Sequence, residues 1–194
     1  MAGRIKDKKF FLQPAEKLAP QLLGKIICRK IETDNGPFVI RCRINVTEAY
    51  CHGDPVTDAT TAEKKGEKTS QHNKGGHLYV KQFMQRYHKD GFRIDIVAND
   101  EGIGEGVLIR GIDPYEEGPI RPAWALDIDM EFDGEDLRTS KRIWLEDDEA
   151  IIIQNEPSKR MNLRKNAPES SKEMLLRFTT KEIKLRCPPI SETE

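Results

Sequence analysis

The chain has 194 residues, with 32 Lys and Arg against 33 Asp and Glu, a formal net charge of -1, 37% hydrophobic residues and 34% charged ones. That length suits one domain of ordinary size over residues 1–194, with flexible ends expected at 1–8 and 188–194. The longest apolar stretches (22–28, 107–109, 151–153) fall far short of the roughly 20 residues of a membrane span, the Lys-rich start leads into no apolar h-region, and the composition excludes a collagen, a coiled coil and a disulfide scaffold.

In chain order, Ala15, Leu18, Ala19, Leu22 and Leu23 recur at helical spacing behind Pro14, with Gly24 as the stop. Residues 25–32 alternate as a strand, and Asp34-Asn35-Gly36-Pro37 is a turn. Over residues 38–50 the even positions are Phe38, Ile40, Cys42, Ile44, Val46, Glu48 and Tyr50. Alternation predicts a strand whose even face meets the core, so Glu48 is expected on the apolar face of its own strand. Residues 91–99 and 106–112 read as two strands joined by a glycine-rich turn. The Gly102-x-Gly104-x-Gly106 string is therefore a hairpin and not a phosphate loop, because the strand-like Val107-Leu108-Ile109 follows it. In the second of these strands Leu108, Arg110 and Ile112 are expected to share a face. A Pro-rich connection from 114 leads to a short helix ending at Leu126, a turn covers 133–137, and strands are expected at 142–145, at the buried run 151–153 and at 175–178, the last core strand.

Glu48 and Arg110 are thus two charges of opposite sign on expected apolar faces. A buried carboxylate needs a partner or a raised pKa, conditions that suit a general base or acid and equally suit a structural ion pair. The two are expected to meet, directly or through a water. The cysteines (28, 42, 51, 187) lie far apart without a Cys-x-x-Cys pair. Cys42, Cys51 and His52 could be imagined around a metal with His72 or His77, but the spacing favours scattered thiols and no metal.

Charge is segregated along the chain. Residues 64–93 carry eight Lys or Arg against Glu67 and Asp90, interleaved with Tyr79, Phe83, Tyr87 and three histidines, whereas residues 113–150 are acidic. Cations interleaved with aromatics suit phosphate neutralisation and base stacking, although a solvated face is the commoner explanation of a charge run alone.

The string Phe10-Phe11-x-x-Pro14-x-x-x-Leu18-Ala19-x-x-Leu22-Leu23-Gly24, followed by Val46-Thr47-Glu48-Ala49-Tyr50, resembles the alkyladenine (3-methyladenine) DNA glycosylases. So does the order of Leu78-Tyr79-Val80, Val107-Leu108-Ile109-Arg110-x-x-x-Pro114, Gly118-Pro119, Ala125-Leu126-x-Ile128 and the 175–178 segment, over roughly residues 8–180. The resemblance implies a mixed α/β (α+β) single domain with a curved antiparallel sheet, surrounding helices and a protruding β-hairpin for DNA. It implies a monofunctional base-excision repair enzyme, without cofactor or lyase step, acting as a monomer on damaged purines in double-stranded DNA. The base is flipped out of the duplex; Glu48 activates water, Arg110 helps to position it, and a backbone carbonyl near Leu163 is a third contact. The compartment would be the nucleus in a eukaryote and the cytoplasm in a bacterium.

The sequence departs from that pattern in the lesion pocket. A family histidine is matched by the Ala59-Thr60-Thr61 stretch, a stacking tyrosine by Lys81 and an asparagine by Asp95, while Tyr50 remains. Each lost stack costs about 1–3 kcal/mol of flipped-base binding, and Lys81 is expected to repel a cationic base. Two outcomes are open, a preference for neutral lesions or a DNA-binding relative that excises poorly. Counting along the hairpin puts Met84 at the intercalating position, with Phe83 and Tyr87 beside it. Lys74, Arg86, Lys89 and Arg121 are the expected DNA contacts.

Overall fold

The computed structural model describes residues 2–85 and 88–185, with backbone alone at 84–85 and 88–90. One antiparallel sheet dominates. It contains β1 (Gly3–Arg4), β2 (Ile26–Ile31), β3 (Phe38–Tyr50), β4 (Leu78–Gln85), β5 (His88–Ala98), β6 (Glu105–Asp113), β7 (Ile143–Asp147), β8 (Ile151–Gln154) and β9 (Arg177–Lys184). The order along the sheet is β1-β7-β2-β3-β6-β5-β4, while β9 pairs with β3 and carries β8 at its other side. The strand β3 is long enough to hold β2 along residues 38–43 and β9 along 46–48. The helices are short: α1 (Lys8–Phe11), α2 (Ala15–Leu22), α3 (Asp58–Glu63), α4 (Arg121–Ala125) and α5 (Glu169–Glu173). No helix among the described residues is long and apolar enough to cross a membrane.

The apolar periodicity of α2 buries Ala15, Leu18, Ala19 and Leu22 against the sheet. Gly24 follows at φ +82°, and a Cβ there would run into Ile152, so the stop needs glycine twice over. The main core joins α2 and α4 to Leu78 and Val80 of β4, Ile94, Ile96 and Ala98 of β5, and Val107, Ile109 and Ile112 of β6. The Gly102 to Gly106 stretch is the expected hairpin turn between β5 and β6.

Several expectations are corrected. The even face of β3 does not stay on the core. Two register shifts interrupt its pairing with β6, making Asn45 an extra residue on β3 and Arg110 an extra residue on β6. Cys42 and Ile44 belong to the core, but beyond the bulge it is Ala49 that joins it, and Thr47 Oγ1 donates to Ala19 O of α2 at 2.9 Å. Glu48 and Tyr50 therefore occupy the opposite face. For the same reason Leu108, Arg110 and Ile112 do not share a face: Ile109 and Ile112, three apart, are both in the core cluster. Gly111 marks the place, because a Cβ there would collide with Asn45 and Val46.

The 151–153 run is strand but not buried, with Ile151 exposed on the outer strand β8. Likewise Leu175 is exposed, and β9 begins only at Arg177, with Leu176 and Phe178 supplying the core contacts. Within the expected flexible end 1–8, Gly3 and Arg4 pair with Asp147 and Glu146, and Arg4 Nη2 donates to the Leu137 and Ser140 carbonyls. The other expected flexible end, 188–194, lies outside the described residues.

Candidate active site

Beyond its bulge, β3 turns Glu48 onto the face away from α2, where a second layer covers it. The 155–176 segment supplies that layer, Met161 reaching Glu48 and Arg160 the Ala49 carbonyl. Glu48 is fully buried. Its Oε1 accepts the Met161 backbone N–H at 2.9 Å, and its Oε2 accepts the Tyr50 hydroxyl at 3.1 Å. Two guanidinium groups stand just outside hydrogen-bond range, Arg110 Nε at 3.7 Å and Arg177 Nε at 3.9 Å from Oε1. The expected meeting of Glu48 with Arg110 is therefore observed. Burial pushes the Glu48 carboxyl above the usual carboxylate range, and the Met161 N–H, Arg110, Tyr50 and Arg177 only partly offset it. An ionised carboxylate offers about four acceptor sites, and the two hydrogen bonds occupy about half of them.

Both arginines are held closer by a third group. Glu117 accepts from Arg110 Nε at 2.8 Å through Oε1 and from Arg177 Nη2 at 2.6 Å through Oε2. Burial raises the Glu117 pKa, but the hydrogen bonds from Arg177 and Arg110 prevail and hold it below the ordinary carboxylate value. Glu117 thus keeps the guanidinium groups beside Glu48 without letting them seal it. Sequence reasoning missed both Glu117 and Arg177. Arg177 had a signal: it immediately precedes the core residue Phe178 in a strand, so alternation turns it to the other face.

The cover over Glu48 is itself anchored. Arg160, fully buried, donates to the Ala49 and Ser171 carbonyls at 3.0 Å each and pairs with Asp54 at 2.6 Å. Its guanidinium lies 4.9 Å from the Tyr50 ring centroid. The backbone group touching Glu48 is thus the Met161 N–H, next to this anchor, and Leu163, the residue near which a carbonyl contact to the water was expected, follows two positions on and is half-buried.

The residues matched to a lesion pocket gather at the next strands. Register places Tyr79 opposite Asp95, Asp95 opposite Leu108, Leu108 opposite Glu48 and Glu48 opposite Arg177, one continuous row across five strands. Asp95 is buried and accepts from Gln71 Nε2 at 3.2 Å; its pKa is pushed up to about 6 by burial, against the pull of Arg93. Lys81 donates to Asp58 at 2.6 Å, and Arg93 and the Tyr79 hydroxyl bind the same carboxylate. The single Asp58 charge, shared by Lys81 and Arg93, offsets part of the Lys81 charge and so weakens the expected repulsion of a cation. The Arg93 guanidinium lies 6.0 Å from the Tyr50 centroid. Ala59 and Thr60 fall in α3, where Ala59 N–H donates to Gln71 and Thr60 Oγ1 accepts from Gly53 N–H at 3.0 Å, so the Thr60 hydroxyl serves the preceding turn.

The expected DNA contacts are dispersed. Arg121 packs over Gly118, whose N–H donates to the Arg110 carbonyl, which brings it to the edge of the Glu48 cluster. No hydrogen bond or ion pair among the described residues links Lys74 to that cluster. Phe83 is half-buried in β4 opposite Gly91. Met84, Arg86, Tyr87 and Lys89 lie outside the residues whose side chains are described. No group of three His, Cys, Asp or Glu side chains among the described residues could hold a metal.

A family model described as methylpurine-DNA glycosylase matches residues 9–184. The chain belongs to that family. It is 30% identical over 171 residues to a protein of Borreliella afzelii (strain PKo), covering 81% of this chain and 86% of the relative. A relative from Borrelia garinii subsp. bavariensis is also 30% identical, over 192 residues, with 92% and 97% covered. Both carry the name "Putative 3-methyladenine DNA glycosylase". The Mus musculus protein named DNA-3-methyladenine glycosylase is 29% identical over 177 residues, covering 75% of this chain and 49% of its own length.

Proposed function

We propose that the chain is a monofunctional DNA glycosylase that hydrolyses the N-glycosidic bond of a damaged purine flipped out of duplex DNA, with Glu48 activating the attacking water. The observation that carries this reading is the Glu48 carboxylate, fully buried on the face away from the main core, held by the Met161 N–H and flanked by Arg110 and Arg177 at 3.7 and 3.9 Å. Burial makes the carboxylate a stronger base than one in water, and the adjacent guanidinium groups keep it ionised and offer donors to a bound water. As in an inverting glycosidase, one carboxylate takes the water's proton while the sugar passes through an oxocarbenium-like state; a buried anion beside the anomeric carbon also stabilises that positive charge.

Tyr50, beside this carboxylate, stands 6.0 Å from the Arg93 guanidinium, a charged surrounding that favours a second reading, a relative that binds lesions but excises them slowly. Glu48→Gln separates the two. Excision under single-turnover conditions should fall by about 10²-fold or more, the size of a lost general base, while binding to a duplex with an abasic analogue stays within a few-fold. A wild-type protein that binds the abasic duplex and has no excision for Glu48→Gln to remove supports the second reading. Excision that survives the substitution refutes the role of Glu48.

A further inference from the structure

We propose that Arg93 and Asp95 form a base-reading pair that selects 6-oxopurine lesions, of which hypoxanthine is the simplest, over lesions derived from 6-aminopurines. The inference rests on the glycosylase reading above and adds which base the site prefers. Arg93 and Asp95 are alternate residues of β5 and so share its outward face, with Asp95 in the same cross-strand row as Glu48. Two strand spacings separate Asp95 from Glu48, about 10 Å, a span that a purine with its sugar carbon and a water can bridge.

Each side chain is fixed by one partner and has one unused group. Arg93 is anchored through Nη2 to Asp58, and its buried Nε has no hydrogen-bond partner. Asp95 is held through Oδ2 by Gln71, and its buried Oδ1 has none. An unused donor and an unused acceptor thus stand two residues apart on one face, next to the Tyr50 ring. Buried polar groups left unpaired are costly, so these two are recognition elements awaiting a matching edge.

The edge they match is specific. A 6-oxopurine presents the O6 acceptor beside the N1–H donor, and guanine adds its amino donor. A 6-aminopurine presents a donor at position 6 beside an acceptor at N1. Arginine to O6 is the commonest specific contact to such bases, and a carboxylate accepts from N1–H. The reverse edge would set donor against donor and acceptor against acceptor. With its pKa near 6, Asp95 is predominantly the acceptor at neutral pH. Arg93 also faces the oxygen on which negative charge develops when neutral hypoxanthine departs.

The test compares single-turnover excision of hypoxanthine and of 8-oxoadenine, which keeps the amino donor at position 6 and the acceptor at N1, from otherwise identical duplexes. The proteins are the full-length wild type, Arg93→Met and Asp95→Leu. Each substitution should lower the ratio of the two rates by at least about fivefold, the lower bound for one good base contact. Arg93→Lys, which retains the charge facing Asp58, should lower it in the same direction but less, and it serves where the methionine variant does not fold. Ratios that stay constant while both rates persist or fall together overturn the inference. Equilibrium binding of wild type to duplexes carrying the uncleavable 2′-fluoro forms of the two nucleosides reads the preference without chemistry. Equal affinities there refute the pair even if excision is absent, whereas a preference for the hypoxanthine duplex without excision sustains the pair and refutes only the hydrolytic reading.

Discussion

Glu117→Gln tests how the arginines are held beside Glu48. Glu117 takes the direct hydrogen bonds of Arg110 and Arg177 at 2.8 and 2.6 Å, leaving each guanidinium just short of Glu48 at 3.7 and 3.9 Å. Glutamine keeps one acceptor oxygen but loses the charge and the second oxygen that now hold both guanidinium groups, so it competes for them far less. If Arg110 closes on Glu48 from 3.7 Å to the 2.8 Å it now makes with Glu117, the attraction at an effective dielectric of about 20 grows by about 1.4 kcal/mol, or about one pKa unit. Loss of the like charge of Glu117 acts in the same direction. Excision needs ionised Glu48, so it declines as pH falls through a pKa that burial holds above the ordinary carboxylate value. In Glu117→Gln the acid limb of the single-turnover pH–rate profile should move down by about one unit. The plateau should fall by less than the roughly 10²-fold of a lost base, because the base is present but weaker and more firmly engaged. An acid limb that stays put, or moves to higher pH, shows that the arginines do not turn to Glu48 and refutes the reasoning.

Asp95→Asn should stabilise the fold at neutral pH. The native carboxyl binds its proton more tightly than the unfolded one, with a pKa near 6 against an ordinary 3.8, so native stability falls as pH rises between those values. The gain should approach about 3 kcal/mol above pH 6 and vanish below pH 4, read by urea denaturation across that range. Arg160→Ala should cost about 3–5 kcal/mol, because it leaves Asp54 buried and unpaired; Arg160→Ala with Asp54→Ala should recover much of that in a double-mutant cycle, and independent effects would contradict a shared network.

The limits of β3, Phe38–Tyr50, follow directly from alternation in the sequence, as do α2 with its glycine stop and the hairpin at Gly102 to Gly106. The face of Glu48 does not. A period of two counts residues and cannot register an extra one, so the bulge at Asn45 turned over the part of the strand that matters. Glu48 was still singled out as a buried charge because both faces of β3 are covered there: Thr47, Glu48 and Ala49 are all fully buried. Arg110 was singled out by an alternation that the second bulge breaks, and it is nonetheless buried beside Glu48. Glu117, Arg93 and Asp58 carried no comparable signal. Each lies in a charged or irregular stretch where a solvated side chain is the ordinary expectation, and only the third dimension brings them together.

The two bulges have a consequence that neither would have alone. A single extra residue on β3 would invert Glu48 and leave β6 facing as before, setting the carboxylate beside side chains aimed at the core. The second extra residue, on β6, restores the register one step later, so that Glu48 stands opposite Leu108, and Leu108 opposite Asp95, with all three on the same face. It also makes the extra residue an arginine, set out of the ladder beside the carboxylate it accompanies. Deleting Asn45 alone should therefore impair excision far more than its location at the edge of the site suggests, since it would rotate Glu48 back toward α2. Deleting Asn45 and Arg110 together would restore pairing but remove the guanidinium. If the single deletion retained excision, the face assigned to Glu48 would be wrong, and with it the site built around that carboxylate.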